Sequence, residues 1–357
     1  MPYGTLSVDT LTPSANVLSV TGSISTGSLN SSNTFGFKNR IINGQMQIAQ
    51  RKTSATITAG STIDAGYSTV DRFYVYCTGA NVTAAQGSGT GNIKNTLQIT
   101  GASSVTGIGI GQRIEALNSY DLVGQIVTLS ADISNSLLTT VTWTAYYANT
   151  EDSFGTLASP TRTQIATGTW TVSSTLTNYN AQITIPLAAT TGIEIVFTVG
   201  AQTSGTWIVG NVQLEAGSVA TRFDYRPYGT ELMLCQRYCY TTSGVSTNGS
   251  YNAFQSAGVW NSTTGAFYYG QFPVRLRSTP SFTTSAASIG SFGAFTISTN
   301  AYTPLTALSI NNVSTATFYL LAGTIGSAAG VSGATSFITD NNGSVQSNNW
   351  LIFSAEL

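Results

Sequence analysis

The sequence predicts an all-β protein, in which a jelly-roll-like β-sandwich is followed by a short helix and a second, C-terminal β-domain. Composition is the first observation: 41% of the residues are hydrophobic, only 8% are charged, and the formal net charge is −1. Disordered chains combine low hydrophobicity with high net charge, so this chain should fold. The second observation is a series of short alternating apolar runs between turn formers. The third is the length of 357 residues, which allows about two domains of roughly 150 residues each.

Residues 1–34 form the first segment. They place short apolar pairs between Ser, Thr, Gly and Asn, and they hold too few large apolar side chains to close a core. Such a segment becomes ordered only against something else, either identical copies of itself or another protein. A disordered terminus is the alternative interpretation.

Residues 35–228 carry the strand patterns of an antiparallel sandwich. Apolar side chains alternate with others along residues 127–133 and 193–199, and no amphipathic stretch of helical length interrupts the series. Trp143 and Trp207 lie within such alternating runs. We therefore predict that these two rings belong to the core and do not bind sugars.

A short linking helix is predicted for residues 229–240. Its apolar stripe consists of Leu232, Cys235, Tyr238 and Cys239, which recur at helical spacing. About three turns are too few for a helix that is stable alone. Packing must hold it, either on its own domain or on equivalent helices of other subunits.

Residues 241–357 are predicted to form the second β-domain. Its expected strands lie near residues 266–276, 291–298, 316–322 and 350–355. The loops between them are long and rich in Gly, Ser and Asn. Loops of this kind on a rigid scaffold often carry recognition, so we expect the binding function here.

Glycan binding fits the side chains of this domain, because exposed rings stack on sugar C–H faces and amides read hydroxyl groups. The candidate residues are Tyr251, Trp260, Tyr268, Tyr269, Asn248, Asn252, Asn341 and Asn342, with Phe254, Tyr302 and Asn261 as further members. The alternative is that each ring packs in the core or between subunits.

Catalysis is not predicted. The chain contains no histidine, which excludes Ser-His-Asp and Cys-His mechanisms and histidine metal sites. Paired-carboxylate glycoside cleavage remains, with Glu151 beside Asp152, or Asp64 with Asp71, as the nearest acid pairs. Adjacent acids in a loop are more often solvated or calcium-binding. Asp64, Asp71 and Glu215 could line a structural calcium site, but the sequence assigns no metal and no cofactor.

The three cysteines, Cys77, Cys235 and Cys239, are expected to be buried free thiols. An odd number cannot form a complete disulfide framework. Cys235 and Cys239 lie four residues apart on the predicted helix, where a two-ligand metal clip is conceivable, but no further soft ligand accompanies them.

Charge and hydropathy limit the possible partners. The 13 basic and 14 acidic residues nearly balance, and the basic ones are scattered, which argues against nucleic-acid binding. No apolar run approaches the roughly 18 residues of a membrane-spanning helix, and no signal peptide is recognisable. We therefore expect synthesis in a cytoplasm and no membrane insertion.

Four segments in a fixed order carry a resemblance to a known family. They are PYGTLSVDTLTPS at 2–14, KNRIINGQMQIAQR at 38–51, GNVQLEAGSVATRFDYRPYGTELMLCQRYCY at 210–240 and FPVRLRSTPSFT at 272–283. Together they resemble the tail-fibre and receptor-binding appendage proteins of tailed bacteriophages. In that family the second segment opens a jelly-roll-like domain and the third closes it and leads into a distal tip.

The resemblance implies an intertwined homotrimer on the virion tail, made in the host cytoplasm. Residues 1–34 would attach the chain to a phage tail protein or another virion protein, and residues 241–357 would bind host surface polysaccharide. The alternative is a structural appendage, such as a head fibre, decoration or baseplate component, that binds no receptor. The aromatic, loop-rich tip favours the adhesin, whereas the modest length and the lack of a shaft repeat favour the structural role.

Overall fold

The computed structural model describes residues 37–60, 66–243, 258–284, 292–296, 301–311, 313–324, 335–340 and 350–357. The predicted attachment segment, residues 1–34, lies outside the described residues. The described part is built mainly of antiparallel strands, and this confirms the all-β prediction.

The first domain is a two-sheet sandwich. Its strands are β1 (Ser54–Ile57), β2 (Tyr74–Thr78), β3 (Val82–Ser88), β4 (Asn95–Thr100), β5 (Gly107–Ile114), β6 (Ile126–Asn135), β7 (Thr140–Ala148), β8 (Arg162–Thr171), β9 (Thr177–Thr184), β10 (Ile193–Val199) and β11 (Thr206–Ala216). A short helix, α1 (Ala116–Ser119), and a 3-10 turn (Tyr120–Leu122) connect β5 to β6. One sheet has the order β1-β3-β4-β11-β6-β9 and the other β2-β5-β10-β7-β8.

The core lies between these two sheets, because alternate residues of each strand point inward. Trp207 is completely buried, and Trp143 is buried beside Trp170, whose ring centroid lies 6.4 Å away. Both tryptophans that the sequence places in the core are found there. Burial of large apolar side chains is worth about 25 cal/mol for each Å² removed from water, so these rings contribute strongly to stability.

Strand β11 contains an irregularity. Its pairing with β6 shifts register between Gly210 and Gln213. Asn211, inside the shift, has a φ of 45°, a left-handed conformation that asparagine tolerates better than most residues. Bulges of this type redirect a side chain from one face of a sheet.

The linking helix is shorter than predicted. Helix α2 spans Tyr228–Gln236, so its start agrees with the prediction within one residue, but its end comes earlier than residue 240. The reason is pairing: Cys239 begins strand β12 (Cys239–Ser243), which is antiparallel to β20 (Trp350–Ser354). Long-range sheet hydrogen bonds therefore override the local helical pattern.

Helix α2 packs on its own chain, the first of the two arrangements considered. Glu231 accepts a hydrogen bond from the backbone N–H of Asn43. Just beyond the helix, the guanidinium of Arg72 lies 3.5 Å from the ring centroid of the buried Tyr238.

The C-terminal domain consists of a three-stranded sheet and a closed barrel. The sheet has the order β12-β20-β15, with β15 at Ser281–Thr284. The barrel runs β13-β14-β18-β17-β16-β19. Its strands are β13 (Gly258–Trp260), β14 (Gly265–Gln271), β16 (Phe292–Thr296), β17 (Ala301–Asn311), β18 (Thr317–Thr324) and β19 (Thr335–Asp340). The four predicted strands correspond to β14, β16, β18 and β20, whereas β12, β13, β15, β17 and β19 were not predicted.

A buried charge cluster joins the C-terminal residues to the sandwich. The Glu356 carboxylate pairs with Arg72 and, at 3.3 Å, with Arg51. Arg113 donates a 2.6 Å hydrogen bond to the backbone oxygen of Leu357. Because all these side chains are largely buried, loss of one partner would leave an uncompensated charge in a poorly solvated place.

None of the helices in the described part of the chain has the length and apolar character needed to cross a membrane.

Candidate functional site

Strands β14 and β18 expose aromatic rings at alternate positions. In β14 the side chain of Tyr268 is buried, whereas Tyr269 is 38% exposed. In β18 Phe318 is buried and Tyr319 is 42% exposed. The alternation follows from the two-residue period of a strand, whose successive side chains point to opposite faces.

The register of the two strands brings the exposed tyrosines together. Tyr269 lies directly opposite Tyr319, and their ring centroids are 5.2 Å apart with an interplanar angle of 58°. Gln271, two residues along β14 and therefore on the same face, donates a 3.1 Å hydrogen bond from its amide to the Tyr269 hydroxyl. Two rings and an amide thus share one patch on the outside of the barrel.

Two apolar residues extend this patch. Phe267 is exposed on β14, and Val259 is exposed on β13 directly opposite it. We call the set Val259, Phe267, Tyr269, Gln271 and Tyr319 the tyrosine ridge. It lies on strands of a closed barrel, whose hydrogen-bonded neighbours hold the ring positions more firmly than a loop would.

Two predicted glycan-binding rings are in the wrong place for that role. Trp260 is 1% exposed and Tyr268 is 0% exposed, and both belong to the barrel core. The indole N–H of Trp260 donates a 3.0 Å hydrogen bond to the Thr296 hydroxyl, so its polar atom is satisfied inside the protein. Neither ring offers a face to a sugar.

The remaining predicted candidates are mostly not described. Tyr251, Asn248, Asn252, Asn341, Asn342 and Phe254 lie outside the described residues, as does the side chain of Tyr302. Asn261 is exposed in the turn between β13 and β14, where its N–H bonds to the Gly265 carbonyl. Of the described candidates, only Tyr269 belongs to the ridge.

Sequence reasoning missed Phe267, Gln271 and Tyr319, and also Val259. The signal for the first two was present, since they alternate with Tyr269 in the run GAFYYGQ. Tyr319 could not be found from local sequence, because only the pairing of β14 with β18 places it beside Tyr269.

Two of the acids considered for catalysis, Asp71 and Asp152, have structural partners. Asp71 is fully buried and accepts a 2.9 Å hydrogen bond from the Gln50 N–H, and burial raises its pKa to about 6. Asp152 accepts a 2.7 Å bond from the Ala116 N–H, and desolvation raises its pKa also. Glu151 is exposed and Asp64 lies outside the described residues. These contacts hold loops in place.

The residues considered for metals are similarly engaged. Glu215 accepts hydrogen bonds from the Thr221 N–H at 2.8 Å and hydroxyl at 2.6 Å. Cys77, Cys235 and Cys239 are free and buried, and desolvation raises the pKa of each thiol. Among the described residues, no group of three or more His, Cys, Asp or Glu side chains could hold a metal ion.

Comparison with known proteins gives structural likeness only. No family model matches the chain, and no curated protein matches it significantly. Among solved structures it is similar to the enzymatically active domain of tailspike protein 4 from bacteriophage CBA120, with 16% identity, a TM-score of 0.33 and coverage of 50% of this chain and 22% of that one. This chain therefore spans less than a quarter of the length of that structure.

Two carbohydrate-binding modules are similar over nearly their whole length. A CBM4 structure has 14% identity, a TM-score of 0.33 and coverage of 49% of this chain and 98% of that one. The family 11 module of Clostridium thermocellum, bound to a mixed-linked tetrasaccharide, has 14% identity, a TM-score of 0.30 and coverage of 45% and 96%. At these TM-scores the likenesses carry no argument about this chain's function.

Proposed function

We propose that this protein is a non-enzymatic phage tail fibre that attaches the virion to host surface glycan through its C-terminal domain. The tail-fibre assignment rests on the four sequence segments that resemble such proteins. The glycan assignment rests on one observation, the tyrosine ridge, in which Tyr269 and Tyr319 meet on the outside of the barrel beside the Gln271 amide.

The chemistry of the ridge suits a sugar. Exposed rings supply faces for the C–H side of a pyranose, while the Gln271 amide and the two tyrosine hydroxyls can read its hydroxyl groups. The ridge holds no charged side chain, so it favours neutral glycan over a polyanion. A single tyrosine ridge is small, so we expect it to bind a sugar weakly.

Assembly would compensate for that weakness. In the proposed homotrimer, three ridges on one tip gain effective concentration without any new contact. Residues 1–34 would attach the trimer to a phage tail or other virion protein, and the protein would reside on the tail after synthesis in the host cytoplasm.

A structural appendage without receptor binding is the second candidate. Val259 and Phe267 favour it, because they extend the ridge with purely apolar surface that could equally pack against another subunit. Such a head fibre, decoration or baseplate component would bury the ridge and would bind no glycan.

The test compares full-length wild-type protein with the Tyr269→Ala/Tyr319→Ala double variant on bacterial cells and isolated surface polysaccharide. Loss of two stacking rings should weaken binding at least about tenfold, equivalent to about 1.4 kcal/mol. Tyr120→Ala, which removes an exposed tyrosine from the sandwich, is the matched control and should bind as wild type does. Released reducing ends are recorded in parallel.

Each outcome decides between the candidates. Binding that requires both ridge tyrosines and releases no reducing ends supports the adhesin. No binding by wild-type protein contradicts it and favours the structural appendage. Release of reducing ends would contradict the non-enzymatic assignment.

A further inference from the structure

A second polar cleft lies on the sandwich, far from the ridge in sequence and on a different domain. It occupies the outward face of the six-stranded sheet and has a volume of about 920 Å³. The floor is formed by Asp132 of β6, Asn178 and Asn180 of β9, and Asn211 of β11. One wall is the turn at residues 90–93 and the other is the segment 220–225.

The floor residues meet because of strand register. Asp132 is directly opposite Asn178 on β9 and Gly210 on β11. Its neighbours Ala131 and Ile133 point into the core, so Asp132 faces outward. The bulge in β11 adds Asn211 next to Gly210 and turns its side chain to the same carboxylate.

The Asp132 carboxylate fixes the orientation of two amides. It accepts a 3.0 Å hydrogen bond from the Asn178 side-chain nitrogen and a 2.8 Å bond from that of Asn211. Because each amide donates through its nitrogen, each must direct its carbonyl oxygen elsewhere. The floor therefore presents the Asn178 amide oxygen and the remaining lone pairs of the carboxylate as hydrogen-bond acceptors, and the Asn211 amide oxygen is a third acceptor beside them.

One of these acceptors is buried without a partner. Asn211 is only 5% exposed, and its Oδ1 receives no hydrogen bond in the described part of the chain. A buried carbonyl oxygen without a donor is destabilising, and native structures rarely leave one unpaired. Asn211 lines the cleft, but this oxygen has almost no accessible surface, so a donor in the cleft satisfies it only when the side chain turns towards the donor.

The wall at residues 220–225 supplies aromatic surface. Phe223 and Tyr225 form an edge-to-face pair with ring centroids 4.9 Å apart. The Tyr225 hydroxyl donates a 3.2 Å hydrogen bond to the Asn92 carbonyl across the cleft, and this bond fixes a ring that is 49% exposed. The wall therefore places the exposed Tyr225 ring, held by a hydrogen bond, beside the polar floor.

We infer that this cleft is a second binding site, specific for a saccharide with adjacent free hydroxyl groups. The hydroxyls donate to Asn178 and Asp132 and to Asn211, whose side chain turns towards the ligand, and a C–H face of the sugar packs on Tyr225. A phosphate or sulfate group is disfavoured on the floor, because it would lie beside the Asp132 carboxylate. Arg222 lines the wall of the cleft, so an acidic saccharide would have to direct its anionic group to that wall. The site does not depend on the tyrosine ridge.

The variant Asn211→Gly tests the inference with little risk to the fold. Glycine adopts the left-handed conformation of residue 211 without strain, so the amide is removed while the bulge is retained. Tyr225→Ala removes the stacking ring. Gln182→Ala is the matched control, since Gln182 lies on the same face of β9 but bonds to the Ser218 carbonyl at 2.7 Å, outside the cleft.

The probe is a printed array of neutral and acidic oligosaccharides and bacterial surface polysaccharides, incubated with the full-length protein. The ridge double variant serves as background, because any saccharide that it still binds is held outside the ridge. We expect such binding, and we expect Asn211→Gly and Tyr225→Ala each to reduce it at least about tenfold, with Gln182→Ala within about twofold.

Three results would overturn the inference. They are no saccharide bound by the ridge double variant, binding by Asn211→Gly and Tyr225→Ala that is as strong as that of the background, or a loss in Gln182→Ala as large as the loss in those two variants. Thermal melting of each variant verifies that a loss of binding is not a loss of fold. Failure of the tail-fibre proposal would leave this test unaffected, since the array contains the sugar alone.

Discussion

The sandwich and the barrel are both β-domains with few charges, but different interactions stabilise them. Every ion pair among the described residues includes a residue of the sandwich, and several of these pairs are buried. The C-terminal core relies instead on stacked rings, such as Phe318, whose ring centroid lies 4.3 Å from that of Phe353. Sensitivity to pH and to loss of charge should therefore be concentrated in the sandwich and at its junction with the C-terminal residues.

The two proposed sites reflect this difference. The cleft is a polar floor with one aromatic wall, built where Asp132 orients two amides. The ridge is an aromatic surface with one amide and no charge. The first selects a ligand by its hydroxyl groups, and the second binds mainly by stacking, so the sandwich site should be the more selective.

The largest expected loss of stability is at the junction between the sandwich and the C-terminal residues. Glu356→Ala leaves Arg51 and Arg72 buried without their carboxylate, which should lower the free energy of unfolding by about 3–5 kcal/mol. Chemical denaturation measures this loss. Asp121→Ala, which breaks the exposed pair with Arg40, should cost less than about 1 kcal/mol, and equal losses in the two variants would contradict the distinction between junction and surface charges.

A smaller loss of stability is expected for changes to aromatic rings in the barrel, and it should differ between buried and exposed rings. Trp260→Phe leaves the Thr296 hydroxyl without its indole partner in the core, with an expected cost of about 1–3 kcal/mol. Tyr319→Phe also removes one polar group from a ring, but from an exposed one, and should change stability by no more than about 0.5 kcal/mol. Thermal unfolding of both proteins checks the order, and a larger loss in Tyr319→Phe would argue against the observed strand facing.

The last effect concerns pH, and it develops gradually over about two pH units. Because the pKa of Asp71 is raised to about 6 by burial, the folded state binds its proton more tightly than the unfolded state does. The contribution of Asp71 to stability is therefore present below pH 4 and is lost as pH rises towards 6, by at most about 1.4 kcal/mol for each pH unit. The stability of the Asp71→Asn variant should lack this pH-dependent contribution.

Measurement of unfolding at several pH values between 4 and 7 gives the difference between wild type and Asp71→Asn. A difference that stays constant over this range would show that Asp71 does not titrate there.

The features that sequence could predict are those that local patterns determine. Alternation placed Trp143 and Trp207 in the core and located β14 and β20, because a strand with one buried face has a period of two. The start of α2 also follows from local sequence.

The features that sequence could not predict depend on partners distant in the chain. Helix α2 ends early because Cys239 pairs with Ser354. The adjacent Tyr268 and Tyr269 cannot both face solvent, but which one does is decided by the closure of the barrel. The cleft is lined by residues from several places between 90 and 225. The bulge at Asn211 helps to bring them together, and no local sequence pattern predicts a bulge.

The pairing of β12 with β20 has a consequence for how such a protein can change. Ser243 lies opposite Trp350, so these two residues, which flank the segment 244–349, are about 5 Å apart. Adjoining ends are the geometry in which domains are most readily inserted, but this segment also contains β15, which pairs with β20 in the same sheet. Recombination at this point would exchange β15 together with the barrel, while the sandwich and its cleft would stay in place.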